Sequence, residues 1–373
     1  MCIRDRRYGD TVAEDLIRRD FTVNAMAINA LDGDFVDPHG GLEDLRQGRL
    51  RTPFPPERSF SDDPLRMMRA ARFASQLQFD IEAQTLSAMS EMADRLEIIS
   101  AERIRDELCR LILTPHPRIG LDVLVRTGLA ERFLPELPAL QLETDEHHRH
   151  KDVYEHSLIV LEQSIQLEAA RGHEPDLVGR LAALLHDIGK PATRRFEPGG
   201  RVSFHHHDVV GAKMTRKRLK ALRFSKDEID AISKLVDLHL RFHGYADGLE
   251  AKAGWTDSAV RRYVRDAGDQ LERLHILTRS DCTTRNQRKA HRLRRAYDDL
   301  ETRIEALAAQ EELDAMRPDL NGEQIMAHLG IPPGPMVGQA YKHLLNLRIE
   351  EGPLGEEAAQ AALDQWWSER GGE

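Results

Sequence analysis

Cysteine, aromatic residues and long apolar runs are all scarce in this 373-residue chain. Its three cysteines, Cys2, Cys109 and Cys282, lie far apart without a C-x-x-C pair, which argues against a disulfide framework and a thiolate zinc site. No stretch approaches the ~20 apolar residues that cross a bilayer, and the N-terminus lacks a signal-peptide core. We therefore expect a cytoplasmic protein without membrane contact, in which any metal is bound by histidine and carboxylate.

Negative charge is in excess overall, at −10, but two segments are basic. Residues 190–223 contain ten Lys/Arg against Glu197 and Asp208, and residues 279–295 contain seven against Asp281. Such segments suit a path for a polyanion, and the same pattern also occurs on helix faces that only meet solvent. A salt-dependent binding assay distinguishes the two.

Periodicity predicts a small sheet followed by helices, so the fold class is mostly α. Residues 21–31, FTVNAMAINAL, and the segment DFVDP flank Asp32-Gly33, a pair favoured in hairpin turns. From Pro64 to about Ala139 the apolar spacing is helical. One predicted buried stripe consists of Met67, Ala70, Ala71, Ala74 and Leu77.

The stretch SDDPLRMMRAARF, residues 61–73, combines acids, a proline and arginines at helical spacing. Since Pro64 suits a first helical turn, the acids can be simple caps. Alternatively, Asp63 and Arg66 are neighbours on the helix and offer an acceptor beside a fork of donors. That combination matches the edges of cytosine and adenine, and guanine and uracil present the opposite pattern.

Four motifs occur in order along the first third of the chain. They are RRDFTVNAMAI at 18–28, DPHGGLEDL at 37–45, DDPLRMMRAARF at 62–73 and ERIRDELCRLIL at 102–113. They resemble motifs of bacterial CCA-adding tRNA nucleotidyltransferases, the class that includes bacterial poly(A) polymerases, and the chain looks most like actinobacterial-type members. The resemblance implies addition of C-C-A to tRNA 3′ ends from CTP and ATP without a template.

The resemblance also implies the nucleotide-binding residues. Asp63 and Arg66 match the base-reading pair, and the helix at 102–113 matches one that braces the nucleotide helix. Asp37, with two glycines after it, matches a flexible segment whose alternative interpretation is an ordinary turn. The nucleotide-binding set is Arg19, Asp20, Asp63, Arg66, Arg69 and Arg72.

Nucleotidyl transfer in this family uses Mg²⁺ ions seated by a D-x-D pair that precedes the RRDFT strand. Only 17 residues precede Arg18, so we expect an N-terminally truncated member that lacks this pair and cannot add CCA by itself. Asp32-Gly33-Asp34 is a D-x-D on the wrong side of the motif, and we interpret it as turn chemistry.

A second constellation lies further along the chain. VYEHSLIVL at 153–161 contains His156, and LAALLHDIGKP at 181–191 contains His186 and Asp187 after an apolar run. Histidine and aspartate suit a divalent metal. The second segment also suits a helix end, with Gly189 as the residue just past the helix.

Together with Asp281, these residues resemble the H…HD…D pattern of HD phosphohydrolases. The resemblance implies His156, His186, Asp187 and Asp281 as ligands of one divalent metal of unknown identity. His207 and His239 match positions of additional ligands, although His205 and His206 could compete with His207. It also implies hydrolysis of 2′,3′-cyclic phosphodiesters or phosphomonoesters.

The predicted organisation is a nucleotidyltransferase-head remnant at 1–60, a helical neck and RNA-binding region at 61–142, an all-α HD domain at 143–315 and a helical tail at 316–373. The predicted function is CCA addition to tRNA. Two alternatives stay open: a bacterial poly(A) polymerase, and an HD phosphohydrolase or tRNA-binding module without transferase activity.

Overall fold

The computed structural model describes residues 11–141, 152–198, 201–242, 244–245, 255–283, 286–311 and 317–370. The chain divides into two compact units, residues 1–237 and 238–373. Helices make up most of the described residues, which confirms the predicted fold class. Within these ranges, no helix has the length and apolar character needed to cross a membrane.

The helices that begin in the first unit are mostly short. They are α1 Val12–Leu16, α2 Gly41–Gln47, α3 Pro56–Asp62, α4 Leu65–Leu77, α5 Ala83–Glu91, α6 Ala101–Ile112, α7 Pro117–Arg126, α8 Leu129–Phe133, α9 Val153–Ala170, α10 Leu177–Leu185, α11 Lys190–Thr193, α12 His207–Ala221 and α13 Lys226–Leu238. The strands are β1 Ala27–Ile28, β2 Phe35–Val36, β3 Arg49–Leu50, β4 Asp80–Ile81, β5 Arg195–Glu197 and β6 Arg201–Ser203.

The predicted N-terminal hairpin is present as the antiparallel pair β1–β2. Asp32 closes its loop, because its carboxylate accepts hydrogen bonds from the Asp34 amide at 3.0 Å and from the Asn29 side chain at 2.7 Å. Gly33 has a φ of 79°, a conformation that favours glycine. The Asp32-Gly33-Asp34 sequence is therefore turn chemistry, as predicted.

The strand predicted over residues 21–31 is shorter than expected. Thr22–Asn24 forms a 3-10 turn, because the Thr22 hydroxyl donates to the buried carboxylate of Asp44 at 2.6 Å. A Cβ at Gly41 would lie 2.1 Å from the Thr22 carbonyl oxygen. The prediction was wrong here because close packing, rather than strand pairing, buries these residues.

Helix α4 forms the centre of this region and packs against α6 and α7. Its buried stripe is 1% exposed or less at Met67, Ala70, Ala71 and Ala74. Leu77 was expected to be buried and is 37% exposed, because it is the last residue of α4. The chain leaves the helix through Gln78, which has a φ of 56°.

Helices α9 and α10 pack against each other in the following region. Asp152 caps α9 by accepting from the Tyr154 amide at 2.9 Å, and Asp176 caps α10 by accepting from the Gly179 amide at 3.1 Å. Strands β5 and β6 form an antiparallel pair. The predicted domain boundary at 142–143 lies outside the described residues.

The second unit is helical throughout its described part. Its helices are α14 Asp257–Ala267, α15 Leu271–Ser280, α16 Gln287–Glu311, α17 Gly322–Leu329, α18 Pro335–Glu351 and α19 Glu356–Glu369. The last three enclose a cluster that includes Leu320, Leu344 and Trp366. Helix α18 also packs against α14. The three domain boundaries predicted from the sequence stay predictions.

Candidate nucleotide site and metal cluster

Asp63 lies in the short break between α3 and α4, with extended backbone at φ −148°. Its carboxylate accepts two hydrogen bonds from Arg103 Nη2, at 3.0 and 3.3 Å. A longer contact of 3.4 Å joins the Leu65 amide to Asp63 Oδ1. Asp63 therefore contributes weakly to capping α4, and its main partner is an arginine of α6.

Arg66 lies one turn further along, in the first turn of α4. Its Nη1 donates to Ser59 Oγ at 2.8 Å, and its Nη2 donates to the Arg18 carbonyl. Burial lowers the pKa of the Arg66 guanidinium, and Asp63 and Asp20 partly oppose that effect. The guanidinium is thus held in place and partly desolvated, which strengthens its interaction with a polar ligand.

Asp20 connects the RRDFT segment to α4. Its carboxylate accepts from Arg69 Nε at 2.8 Å, from the Phe21 amide at 2.9 Å and from Asn24 Nδ2 at 3.1 Å. Asp20 is 7% exposed, so it positions Arg69. Arg19 instead pairs with exposed Asp15, through a contact of 3.1 Å from Nε. Nucleotide contacts by Arg19, Asp20 and Arg69 stay predictions.

Arg72 is buried with its partner on α6. Its Nε donates to Glu107 Oε2 at 2.7 Å, and the two residues are 8% and 3% exposed. Its Nη1 donates to Gln76 at 3.0 Å. This pair is consistent with the bracing role assigned to the 102–113 helix. Direct contact of Arg72 with a nucleotide stays a prediction.

Sequence reasoning missed Asp44, whose side chain is 0% exposed. It accepts from Thr22 at 2.6 Å, from Arg49 Nε at 2.7 Å and from Arg51 Nε at 2.9 Å. Burial by itself raises the pKa of Asp44, but these hydrogen bonds outweigh burial and hold the pKa below its usual range. The available signal was an acid followed five and seven residues later by arginine.

Asp37 and its glycines form the start of α2. The Asp37 carboxylate accepts from the Gly41 amide at 2.7 Å and from the Leu42 amide at 2.9 Å. Gly40 has a φ of 72°, in the left-handed region that favours glycine. The segment is a capped helix start, in agreement with the turn interpretation.

A cluster of histidines surrounds Asp187 in the α9–α12 region. The contacts to its carboxylate oxygens are 3.4 Å from His156 Nε2, 3.1 Å from His186 Nε2 and 3.2 Å from His207 Nε2. His156 Nε2 and His186 Nε2 are 3.3 Å apart. Within the first unit, the structure therefore brings together three predicted ligands and the predicted additional ligand His207.

Backbone carbonyls fix two of these imidazoles. His186 Nδ1 lies 2.8 Å from the Ala183 carbonyl oxygen, and His207 Nδ1 lies 2.8 Å from that of Phe204. A carbonyl only accepts, so in the neutral ring the Nδ1 carries the proton and the Nε2 lone pair points at Asp187. Lone pairs facing a carboxylate repel it unless a cation lies between them. The donor set therefore fits a divalent metal.

Asp187 stays ionised in this setting. It is 1% exposed, and burial by itself raises its pKa, but in the cluster without a bound cation a protonated His186 and the Lys190 ammonium group outweigh burial and hold the pKa well below its usual range. Lys190 Nζ lies 2.6 Å from Asp187 Oδ2, so a metal would compete with this ammonium group.

The helix-end interpretation of the HDIGKP segment was wrong for Gly189. Its φ is −76°, and Lys190–Thr193 continues as helix α11. A Cβ at Gly189 would lie 2.2 Å from the His207 carbonyl oxygen. Glycine is required because α12 approaches this close, which brings His207 to Asp187.

The histidine run at the start of α12 has one inward-facing member. His207 is 8% exposed, whereas His205 and His206 are exposed, so the competing candidates are excluded. His239 and Asp281 belong to the second unit, where His239 is 2% exposed and Asp281 follows α15. Their part in a metal site stays a prediction.

Comparison with known proteins identifies the class to which this fold and these sites belong. Residues 3–51 match the poly A polymerase head domain, and residues 78–140 match the probable RNA and SrmB-binding site of polymerase A. Residues 153–286 match the HD domain. The class is a head-type nucleotidyltransferase with an HD domain.

Two curated relatives define the family. The chain is 36% identical over 364 residues to the A-adding tRNA nucleotidyltransferase of Deinococcus radiodurans, covering 95% of this chain and 79% of that protein. It is 35% identical over 367 residues to the CC-adding tRNA nucleotidyltransferase of Thermus thermophilus, covering 96% and 78%. The chain belongs to the bacterial tRNA nucleotidyltransferase family.

Solved structures agree on the fold. The crystal structure of the Bacillus stearothermophilus CCA-adding enzyme in complex with CTP has a TM-score of 0.60 at 24% identity, covering 98% of this chain and 76% of that one. The Thermotoga maritima CCA-adding enzyme complexed with tRNA has a TM-score of 0.56 at 20% identity, covering 95% and 74%.

Proposed function

We propose that this chain recognises CTP and ATP through Asp63 and Arg66 and acts in CCA addition to the 3′ end of tRNA. The observation that carries this proposal is the pair itself. A carboxylate held by Arg103 and a guanidinium held by Ser59 stand side by side where α4 begins. Both side chains are positioned by protein groups, so they need little reorganisation to meet a base.

The chemistry of the pair selects two of the four bases. Cytosine has an amino donor beside its N3 and O2 acceptors, and adenine has an amino donor beside N1. The Asp63 carboxylate can accept from the amino group, and the Arg66 guanidinium can donate to the ring acceptors. Each matched pair of this kind discriminates by ~1–3 kcal/mol.

The choice between complete and partial addition follows from the same pair. One relative is named A-adding and another CC-adding, and the Asp63–Arg66 pair suits both bases. We therefore propose complete CCA addition. The poly(A) polymerase alternative is not favoured by these relatives. We propose Mg²⁺ as the metal ion of the nucleotidyl-transfer step. We also propose that the protein acts in the cytoplasm.

Titration of the chain with each of the four nucleoside triphosphates tests this proposal without requiring turnover. We expect CTP and ATP to bind more tightly than UTP and GTP by ~1–3 kcal/mol. Preference for ATP alone would indicate A addition, and preference for CTP alone would indicate CC addition. Equal affinity for all four triphosphates would contradict base reading by this site.

The His/Asp cluster supports a second function, phosphoester hydrolysis. His156, His186, Asp187 and His207 would hold a divalent cation, which would act as a Lewis acid on a phosphoryl oxygen. The Nδ1 hydrogen bonds keep two of the rings oriented, and Asp187 would be the anionic ligand of the cation. In a 2′,3′-cyclic phosphate, the oxygen of a water molecule bonds to phosphorus as one ribose P–O bond breaks. A proton of that water passes to the leaving ribose oxygen.

Release of nucleoside monophosphate from 2′,3′-cyclic AMP measures this second function. We expect Asp187→Ala to abolish the release, with His205→Ala as the exposed histidine control. Equal release by parent and Asp187→Ala would place the activity elsewhere, and a tRNA-binding role without hydrolysis would then be the better explanation of the cluster.

A further inference from the structure

The β5–β6 hairpin is anchored to the His/Asp cluster at both ends. Lys190, whose Nζ lies 2.6 Å from Asp187, stands five residues before β5. His207, whose Nε2 lies 3.2 Å from the other Asp187 oxygen, stands four residues after β6. Phe196 follows Lys190 by six residues, and its cross-strand partner Val202 precedes His207 by five, so both arms of the hairpin are tethered to the cluster by short segments.

Phe196, in the middle of β5, is 74% exposed. An exposed phenylalanine gains little from the hydrophobic effect within its own chain. The Arg194 guanidinium carbon lies 4.9 Å from the centre of the Phe196 ring. The ring therefore combines an exposed aromatic surface with a neighbouring positive charge, which suits the base and phosphate of a nucleotide.

Strand alternation places Phe196 on a face that leads to the cluster. Phe196 pairs with Val202 across the hairpin, and side chains two residues apart share a face. Phe204 follows Val202 on that face, and Lys190 Nζ lies 5.8 Å from the centre of the Phe204 ring. Contacts thus connect Asp187 to Lys190 and Lys190 to Phe204, and strand alternation places Phe204 on the same face of the hairpin as Phe196.

The opposite face of the hairpin secures its strands. Glu197 Oε1 accepts a hydrogen bond from Ser203 Oγ at 2.7 Å, across the two strands. The described pairing covers three residues of each strand. This bond does not involve the aromatic face, so Phe196 stays available for a ligand.

We propose that Phe196 stacks on the nucleobase of a ribonucleotide whose phosphate lies at the His/Asp cluster. The inference rests on the phosphohydrolase function proposed above and names its ligand, a terminal ribonucleotide rather than a small phosphoester without a base. Stacking on an aromatic ring tolerates every base, because each base has a π face. Lys190 and Arg194 supply positive charge for the phosphate on the path between ring and cluster.

Titration with adenosine 3′-monophosphate tests the proposal, with inorganic phosphate as the baseless probe. All chains carry Arg66→Ala, so that the site at α4 contributes equally little throughout. Phe196→Ala should weaken binding of the nucleotide roughly 5- to 150-fold, as expected for loss of one stacked base. Binding of inorganic phosphate should stay within about twofold of the parent.

Two further variants separate stacking from hydrophobic contact and from misfolding. Phe196→Trp should retain the nucleotide affinity, whereas Phe196→Leu, of similar apolar character, should lose it. Phe35→Leu is the matched control, because Phe35 is 49% exposed on the other hairpin and should leave affinity unchanged. Unchanged affinity in Phe196→Ala, or full affinity in Phe196→Leu, would overturn the proposal.

The outcome is independent of the transferase function. CTP and ATP selection at Asp63 and Arg66 is measured separately, and its failure would leave this titration unaltered. A parent chain that binds a divalent metal but no adenosine 3′-monophosphate would overturn the stacking proposal and leave the metal cluster in place.

Discussion

The nucleotide site at α4 and the His/Asp cluster are built in opposite ways. At α4, Asp63 and Arg66 are held by different protein groups, Arg103 for the carboxylate and Ser59 for the guanidinium. In the cluster, three imidazole nitrogens and an ammonium group meet at one carboxylate that is 1% exposed. The first arrangement suits the reading of hydrogen-bond patterns, and the second suits holding a cation.

This difference explains why substitutions should act differently in the two regions. Replacing Asp63 or Arg66 leaves the other member of the pair in place, so we expect the substitution to change mainly which base is bound. Removal of the central carboxylate leaves the cluster without its negative charge, so we expect all-or-none loss of metal.

The largest expected effect is therefore on metal content. Asp187→Ala should reduce bound divalent metal from about one equivalent to none, because Asp187 is the carboxylate on which His156, His186 and His207 converge. Elemental analysis after dialysis against Mn²⁺ or Zn²⁺ provides the measurement. His205→Ala, an exposed neighbour, should retain the metal, and equal content in Asp187→Ala would remove the contrast between the two regions.

Substitutions in the buried Arg72–Glu107 pair should have the next largest effect. We expect them to change the stability of the fold rather than the selection of nucleotides. Arg72→Met and Glu107→Gln should each lower the free energy of unfolding by about 3–5 kcal/mol, because each breaks the buried ion pair. In Arg72→Met, Glu107 keeps only the exposed Arg110, at 3.2 Å. The double variant should recover part of that loss. Urea unfolding gives the values, and a large loss of CTP affinity in a stable Arg72→Met protein would favour direct nucleotide contact instead.

Asp44→Asn should lower the free energy of unfolding by about 3 kcal/mol, the low end for a buried ion pair, because both arginines retain solvent access. The pKa of Asp44 is lowered in the folded state. Its stabilising contribution is therefore complete above the unfolded pKa near ~3.9 and is lost as pH falls below it.

Urea unfolding at pH 7 and at pH 3 checks this dependence. The difference in stability between parent and Asp44→Asn should be smaller at the acidic pH. A difference that grows towards acid would show that the carboxyl pKa is raised rather than lowered.

The smallest expected effect is that of Ser59→Ala. It removes the hydroxyl that accepts from Arg66 at 2.8 Å and should weaken CTP binding by about 1 kcal/mol. Ser61, two residues further along the same helix and exposed, provides the control as Ser61→Ala. Equal CTP affinity in both variants would show that Arg66 is held well enough by the Arg18 carbonyl alone.

Sequence reasoning worked best where the signal is local. The HD motif predicted the meeting of His156, His186 and Asp187, and the Asp-Gly pair predicted a hairpin turn. It failed for residues 21–24 and for Gly189, because tertiary contacts decide their conformation. The Thr22–Asp44 bond and the approach of α12 to Gly189 both join segments that are distant in sequence.

Partners of the nucleotide site illustrate the same limit. Arg103 lies 40 residues from Asp63, and the Arg18 carbonyl lies 48 residues from Arg66. No spacing rule connects such positions, so only the fold shows which groups hold the base-reading pair. Asp44 did have a local signal, the arginines five and seven residues after it, and the interpretation of the motifs did not use that signal.

The most direct test of the account is the ratio of CTP to UTP affinity in the parent, in Arg66→Ala and in Arg46→Ala, whose exposed arginine on α2 serves as control. We predict a CTP preference in the parent and in Arg46→Ala, and a ratio near one in Arg66→Ala, because the donor to the cytosine acceptors is lost. An unchanged CTP preference in a folded Arg66→Ala chain would contradict base reading by this pair.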